Sequence, residues 1–156
     1  MSDGIGFRPI TPDDGAFLLE VYASTRSDEM ALLDWSGREK QAFLEQQFNA
    51  QHTYYQEQFD GARFDVIERD GRPIGRLYVD RCDDVLHVID IALLPAHRRR
   101  GIGGAIMSDL LAEAGAAGKP VRIHVERHNP AMRLYERLGF RPIGDTGVYL
   151  LMEWTP

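Results

Sequence analysis

The sequence predicts an α/β (α+β) fold, in which a mixed, mostly antiparallel sheet of about six to seven strands is flanked by about four helices. Three observations favour it. Asp70-Gly71 between two apolar runs predicts an antiparallel hairpin. A strand–helix–strand pattern over residues 85–125 predicts two parallel strands with a helical crossover. Two short runs after residue 140 predict a closing hairpin. We expect one domain over residues 1–156.

The first half of the chain supplies three strands and two helices. Residues 7–10 predict the first strand, and Thr11-Pro12-Asp13 opens a helix with apolar side chains at helical spacing. Residues 36–59 are helix-like. Residues 64–68 and 73–81 predict the two strands of the hairpin.

The second half begins with residues 85–94, a nearly continuous apolar run that is typical of a central buried strand. A helix over residues 105–117 follows, and Gly118 and Pro120 end it. Residues 121–125 predict the next strand. A further helix is expected with Asn129 as N-cap, Pro130 at the first position and Gly139 at its end. The final hairpin is expected over residues 141–145 and 148–154.

Composition narrows the class of protein. The chain has 156 residues, 44% hydrophobic content and a formal net charge of −6, which argues against direct nucleic-acid binding. No apolar run reaches the length of about 20 residues that spans a bilayer. The N-terminus lacks a signal-peptide pattern, so we expect a cytoplasmic protein without membrane contact. The spacing of the histidines indicates no metal site.

The most informative stretch, residues 98–104, reads Arg-Arg-Arg-Gly-Ile-Gly-Gly. N–H groups at a helix start lack intrahelical partners, and glycines let a ligand approach the backbone closely. With the helix dipole and three arginines, this predicts a site for a pyrophosphate-bearing ligand. The alternative is a solvated basic patch. This stretch matches neither the Walker-loop pattern nor the dinucleotide-binding fingerprint. The last glycine position of the fingerprint falls on Ile106.

The loop instead fits the pattern Arg/Gln-x-x-Gly-x-Gly/Ala, with Arg98 as its first residue. Upstream lies Ile-Ala-Leu-Leu-Pro at 91–95. Downstream, residues 129–140 combine Asn-Pro-Ala, a tyrosine and Gly-Phe, with one helix and one strand between the two blocks. Over residues 85–154 the chain thereby resembles the GNAT superfamily of N-acetyltransferases.

The resemblance implies acetyl-CoA as co-substrate and no metal. It implies that backbone amides near Leu93 hold the pantetheine arm and polarise the thioester, although these side chains also suit a core. The implied acetyl-CoA contacts are Ile91, Ala92, Leu93, Arg98, Arg99, Arg100, Gly101, Ile102, Gly103, Gly104, Asn129 and Tyr135. Tyr135 would protonate the leaving thiolate, and its alternative is a core aromatic residue.

The general base is left open among four candidates. His87 and Asp90 lie on the fourth strand, and His124 and Glu126 lie on the fifth. Strand alternation places His124 and Glu126 on one face, whereas His87 and Asp90 fall on opposite faces unless a bulge intervenes. Each of the four also suits a structural or solvated role.

The acceptor is expected to be a primary amine of a small molecule or peptide that attacks directly in a ternary complex, and we allow for a homodimer. Residues 27–60 carry seven acidic and two basic residues, which favours a cationic acceptor or is simply a solvated surface. An alternative to the enzyme is a non-catalytic acyl-CoA-binding sensor or interaction module, which would need no base.

Overall fold

The computed structural model describes residues 4–156. In this part of the chain, seven strands form one sheet in the order β1-β2-β3-β4-β5-β7-β6. The strands are β1 (Ile5–Pro9), β2 (Arg63–Arg69), β3 (Arg72–Arg81), β4 (Leu86–Leu93), β5 (Val121–Glu126), β6 (Arg141–Asp145) and β7 (Tyr149–Trp154). The α-helices are α1 (Gly15–Thr25), α2 (Ser27–Ala31), α3 (Gly37–Gln58), α4 (Ile102–Ala116) and α5 (Met132–Leu138). The fold class predicted from the sequence is confirmed.

One pair of neighbouring strands, β4 and β5, differs from the rest of the sheet in its direction. All neighbouring strands of the sheet pair antiparallel except β4 and β5, which are parallel. That crossover contains α4, as the strand–helix–strand pattern predicts. The β2–β3 hairpin turns at Asp70 and Gly71, both with positive φ (51° and 80°), as a two-residue turn of this type requires.

Two helix boundaries differ from the predictions. Helix α4 begins at Ile102, directly after the left-handed residue Gly101, rather than at residue 105. Helix α5 begins at Met132 with Ala131 as its N-cap, so Asn129 is not the cap. The Asn129 side chain instead accepts from the Ala131 N–H at 2.8 Å. An asparagine readily bonds the N–H two residues on, and here that forms a separate turn before the helix. The short helix α2 was not predicted.

The two faces of the sheet are covered differently. Helices α4 and α5 pack on one face over a large apolar cluster that includes Val88, Leu110 and Ile123. Helices α1 and α3 cover the other face, where a smaller apolar cluster centred on Leu18 and Phe48 lies beside polar and aromatic side chains. Among residues 4–156, no helix is both long and apolar enough to cross a bilayer.

Candidate active site

Strands β4 and β5 separate to leave a gap in the sheet. Their pairing comprises three residue pairs, from Leu86 with Val121 to Val88 with Ile123. Beyond Val88, β4 continues to Leu93 and pairs only with β3, while β5 pairs with β7 on its far side. The inner edges of the two strands therefore face each other without being paired. We call the closed end of this gap, at Val88 and Ile123, the apex.

A bulge in β4 lies at the apex. Val88 is opposite Val79 on β3 and Asp90 is opposite Tyr78, so Ile89 is the extra residue. Bulges bend a strand and re-aim the side chains that follow. After this one, the Leu94 N–H bonds Ile74 on β3 at 2.8 Å. Because successive N–H groups point to opposite edges of a strand, those of Ile91 and Leu93 point into the gap.

Gly75 allows β3 to approach β4 closely at the open end of the gap. A Cβ at Gly75 would lie 2.2 Å from the Ala92 carbonyl oxygen and 3.1 Å from the Leu93 Cα. Backbone atoms cannot yield to such a contact without moving the strand. Glycine at position 75 therefore fixes where Ala92 and Leu93 lie.

The loop after β4 presents a row of backbone donors. The first helical hydrogen bond of α4 runs from the Ala105 N–H to the Gly101 carbonyl at 3.0 Å. In the described part of the chain, the six N–H groups from Arg99 to Gly104 have no acceptor. Arg99 (φ 60°) and Gly101 (φ 80°) are both left-handed, and such alternation turns successive N–H groups toward a common concavity.

The Arg98 side chain is committed within the protein. Its Nε donates to the Leu93 carbonyl at 2.9 Å, and one terminal nitrogen lies 3.2 Å from the Ser24 Oγ on α1. Its N–H bonds the Pro95 carbonyl at 3.2 Å. Arg98 thus ties the end of β4 to α1, and all three arginines, Arg98 to Arg100, are exposed to solvent beside the row of donors.

The four candidate bases lie on one face of the sheet, the face that α1 and α3 cover. His87 is opposite Asp80 and Asp90 is opposite Tyr78, and these two β3 residues share a face. The bulge is thus what places His87 and Asp90 together. His87 pairs across with Arg122, which alternation places on the same face as His124 and Glu126.

His87 and His124 form a pair at the apex. Their ring centroids are 5.7 Å apart, and the Phe59 ring lies 5.5 Å from His87. Burial, together with the charge of His124, lowers the pKa of His87 below its ordinary value of 6.5. His124 is exposed while His87 is half-buried. Both rings lie on the face of the sheet that α1 and α3 cover. His87 is neutral at physiological pH.

The two carboxylates are each paired with an arginine. Glu126 accepts from Arg26 at 2.8 Å, which ties β5 to the segment between α1 and α2. Asp90 forms an ion pair with Arg76, a β3 residue that is only 3% exposed. Both carboxylates are therefore held in ion pairs within the protein.

Tyr135 reaches this region from the opposite side of the sheet. It is 4% exposed on α5, and its ring contacts Phe140 at a centroid distance of 5.9 Å. Burial, and secondarily the negative charge of Asp90, raise the pKa of the Tyr135 phenol. Tyr135 is therefore protonated at neutral pH.

Comparison with known proteins decides the family. The sequence profile of the Acetyltransferase (GNAT) family matches residues 29–140. The chain belongs to the GNAT acetyltransferase family.

Individual relatives agree with this assignment. The mycothiol acetyltransferase of Clavibacter michiganensis subsp. michiganensis is 40% identical over 75 residues, which are 47% of this chain. The match spans only 24% of that relative. The PaiA N-acetyltransferase of Thermoplasma acidophilum, solved with coenzyme A, superposes with a TM-score of 0.72 at 18% identity over the full length of both chains. YncA of Salmonella typhimurium, solved with acetyl-CoA, superposes with a TM-score of 0.58 at 20% identity, covering 98% and 94% of the two chains.

The residues of this GNAT protein fit an acyl-CoA. Six N–H groups without acceptors suit a pyrophosphate, and the two N–H groups of Ile91 and Leu93 on an unpaired strand edge suit an amide-bearing arm. A Cβ at Gly101 would meet nothing within 4 Å, so its left-handed φ, not a crowded surface, is what calls for glycine there.

Sequence reasoning missed the groups that hold the candidate bases. Arg76, Gln51 and Arg26 all contact them or their partners, and none was proposed. A signal existed for Arg76, because it is a charged residue inside the otherwise apolar strand β3. Tyr78, which lies on the same face of β3, carried no such signal. In the described residues, no group of three or more His, Cys, Asp or Glu side chains is arranged to hold a metal ion.

Proposed function

We propose that this protein is an N-acetyltransferase that moves the acetyl group of acetyl-CoA to a primary amine of a small molecule or peptide, by direct attack in a ternary complex. The observation that carries the proposal is the gap between β4 and β5, which opens onto six acceptor-free N–H groups. Family membership supports the reaction class.

The acyl-CoA would lie along β4. The N–H groups of residues 99–104 would bind the pyrophosphate, and those of Ile91 and Leu93 would bind the arm. From Leu93 back to Ile89 a strand advances roughly 13 Å, which brings the end of an extended arm to the apex. The thioester supplies the activated acetyl group there. Asn129, whose side chain already caps the turn before α5, would border the arm.

The base is assigned to the His87–His124 pair. These two rings lie at the apex, where the acetyl group would be, and face the side that an acceptor can reach. A neutral imidazole can take a proton from an ammonium group, whereas Asp90 and Glu126 are held by arginines. Asp90 and Glu126 then shape the site rather than accept the proton.

Tyr135 is assigned the acid role. A developing thiolate needs a proton donor, and the phenol of Tyr135, which belongs to the same apolar cluster as Val88 and Ile123, would supply the proton. Its raised pKa keeps the hydroxyl protonated but makes it a weaker acid, so the transfer depends on close placement of the sulfur.

The acceptor is proposed to be a small amine. The mycothiol acetyltransferase relative supports a small molecule, over the quarter of its length that is matched. The acidic residues of segment 27–60 are exposed, as on a solvated helix surface, so they give little support for a polycationic acceptor. Phe59, Tyr55 and Tyr149 border the same face and would suit an acceptor with a ring or an apolar part.

The test has two steps. Thermal shift with acetyl-CoA, coenzyme A and NADH should show stabilisation by the two CoA species only, since a ligand of the folded state raises its melting temperature. Thiol release from acetyl-CoA is then measured over a panel of amines. Turnover with one class of amine supports the enzyme, whereas binding without turnover for any amine would favour an acyl-CoA sensor. No binding of either CoA species at millimolar concentration contradicts both.

A further inference from the structure

A buried ion pair sits beside the bulge of β4 and is not part of the assigned chemistry. Arg76 and Asp90 are diagonal neighbours on β3 and β4, because Arg76 is opposite Ala92 and Asp90 is opposite Tyr78. Arg76 is 3% exposed, whereas the Asp90 side chain retains 24% exposure. Burying an arginine is unfavourable unless its charge and its donors are matched, so this pair needs an explanation.

Arg76 is held from three sides. One terminal nitrogen pairs with Asp90 and donates to the Gln51 side-chain oxygen on α3 at 2.8 Å. Its guanidinium lies 5.0 Å from the centroid of the Tyr78 ring. Arg76 therefore connects β3, α3 and the first residue of β4 after the bulge.

Asp90 is the residue through which this connection acts. It follows the extra residue Ile89 and directly precedes Ile91, whose N–H points into the gap. If Asp90 rotated away from Arg76, the bulge could close, and the strand beyond it would shift register by one residue. Such a slip turns every following N–H group and side chain to the opposite side.

We propose that Arg76 is a positioning residue that locks the β4 bulge through Asp90, so that the N–H groups of Ile91 and Leu93 stay directed into the gap and receive the pantetheine arm. This rests on the proposed function, in that an acyl-CoA arm occupies the gap. Arg76 itself touches neither the arm nor the acceptor.

The test separates binding of the arm from binding of the phosphates. Affinity is measured by calorimetry for acetyl-CoA and for its nucleotide half, which carries the phosphates and lacks the arm. Arg76→Met should reduce the ratio of the two affinities about tenfold, since two hydrogen bonds to the arm are misdirected. Affinity for the nucleotide half should stay within about twofold, because the loop at 99–104 is not held by Arg76.

Three further variants make the result specific. Arg76→Lys keeps the charge beside Asp90 but loses the planar guanidinium over Tyr78, so it should lower the ratio, and by less than Arg76→Met does. The double variant Arg76→Met, Asp90→Leu removes both charges, so it folds even where the single variant does not, and it should show the same tenfold loss. Arg63→Met removes a strand arginine paired with Asp65 at 2.5 Å on the other face of the sheet, and it should leave the ratio unchanged.

The outcomes are distinct. A ratio that stays at the wild-type value in folded Arg76→Met or in the double variant overturns this inference. A wild-type protein that binds acetyl-CoA no more tightly than its nucleotide half contradicts the proposed function instead.

Discussion

The two faces of the sheet differ in the side chains that they carry: one holds most of the apolar core, and the other holds the candidate bases. The face under α4 and α5 buries a continuous apolar cluster, with Val88, Val121 and Met107 essentially inaccessible to solvent. The face under α1 and α3 carries a smaller cluster and all four candidate bases, two of them held by arginines. Both faces are built from the same strands, so alternation along β4 and β5, together with the bulge at Ile89, decides which side chains join the core and which join the candidate site.

Tyr135 lies on one face but is affected electrostatically by a residue on the other. Tyr135 belongs to the apolar cluster, yet the charge of Asp90 on the other face affects the pKa of its phenol. The two faces are therefore electrostatically coupled at this position, although their side chains belong to different layers.

The largest expected effect comes from substitution of Tyr135. Tyr135→Phe retains the ring against Phe140 and removes only the hydroxyl, so kcat should fall about 10²–10⁴-fold while acetyl-CoA affinity changes little. Steady-state kinetics with calorimetry checks it. A kcat within threefold of wild type, with chemistry shown to be rate-limiting, removes Tyr135 from the mechanism and makes it a purely apolar-face residue.

A substitution confined to the apolar face should have the opposite signature. Leu110 is 5% exposed in the cluster, and Leu110→Ala should lower the free energy of unfolding by about 2–5 kcal/mol. Below its melting temperature, kcat should stay within about twofold of wild type. Denaturant unfolding and kinetics test both halves, with the exposed Ser108→Ala on the same helix as control. A large loss of kcat in the folded variant would mean that the two faces are not independent.

Gly101 tests the loop between β4 and α4, which is proposed to bind the phosphates. Gly101→Asp places a side chain at φ 80° and a negative charge beside the row of donors, so CoA affinity should fall at least about tenfold. Gly61→Asp is the matched control, because a Cβ at Gly61 meets nothing within 4 Å and its φ is not positive. Equal CoA affinity in the two folded variants would show that the phosphates bind elsewhere.

Sequence patterns predicted the seven strands, four of the five α-helices and the glycine-rich loop, because these depend on local chemistry. The Asp70-Gly71 turn and the glycine-rich stretch before α4 each depend on residues that are adjacent in the sequence. The placement of His87 and Asp90 on one face was not, because it depends on the extra residue Ile89, and a bulge leaves no compositional mark. The partners Arg76 and Gln51 are 25 residues apart, and that contact exists only once α3 lies on the sheet.

The pH dependence of kcat should be a smaller effect. It concerns the face of the sheet that carries the candidate bases. Because the pKa of His87 is lowered, His87 should remain neutral to below pH 6.5, and the acid limb of kcat should lie below that value. The same shift makes His87 stabilise the fold above pH 6.5, and this contribution is lost as pH falls through the lower folded pKa.

Two variants assign that limb. His124→Gln should remove most of the activity across the pH range, and Glu126→Gln, which only releases Arg26, should leave the limb in place. A limb that disappears in Glu126→Gln instead would transfer the base role to that carboxylate.

Hydrogen exchange with and without coenzyme A tests most directly whether the gap and its loop hold the ligand. We expect slower exchange of the N–H groups at residues 99–104 and at Ile91 and Leu93 when coenzyme A is present, because these donors have no acceptor in the described protein alone. The N–H groups of α1 and α3 should be unchanged. Protection confined to other segments, with 91, 93 and 99–104 exchanging as before, would contradict a ligand between β4 and β5.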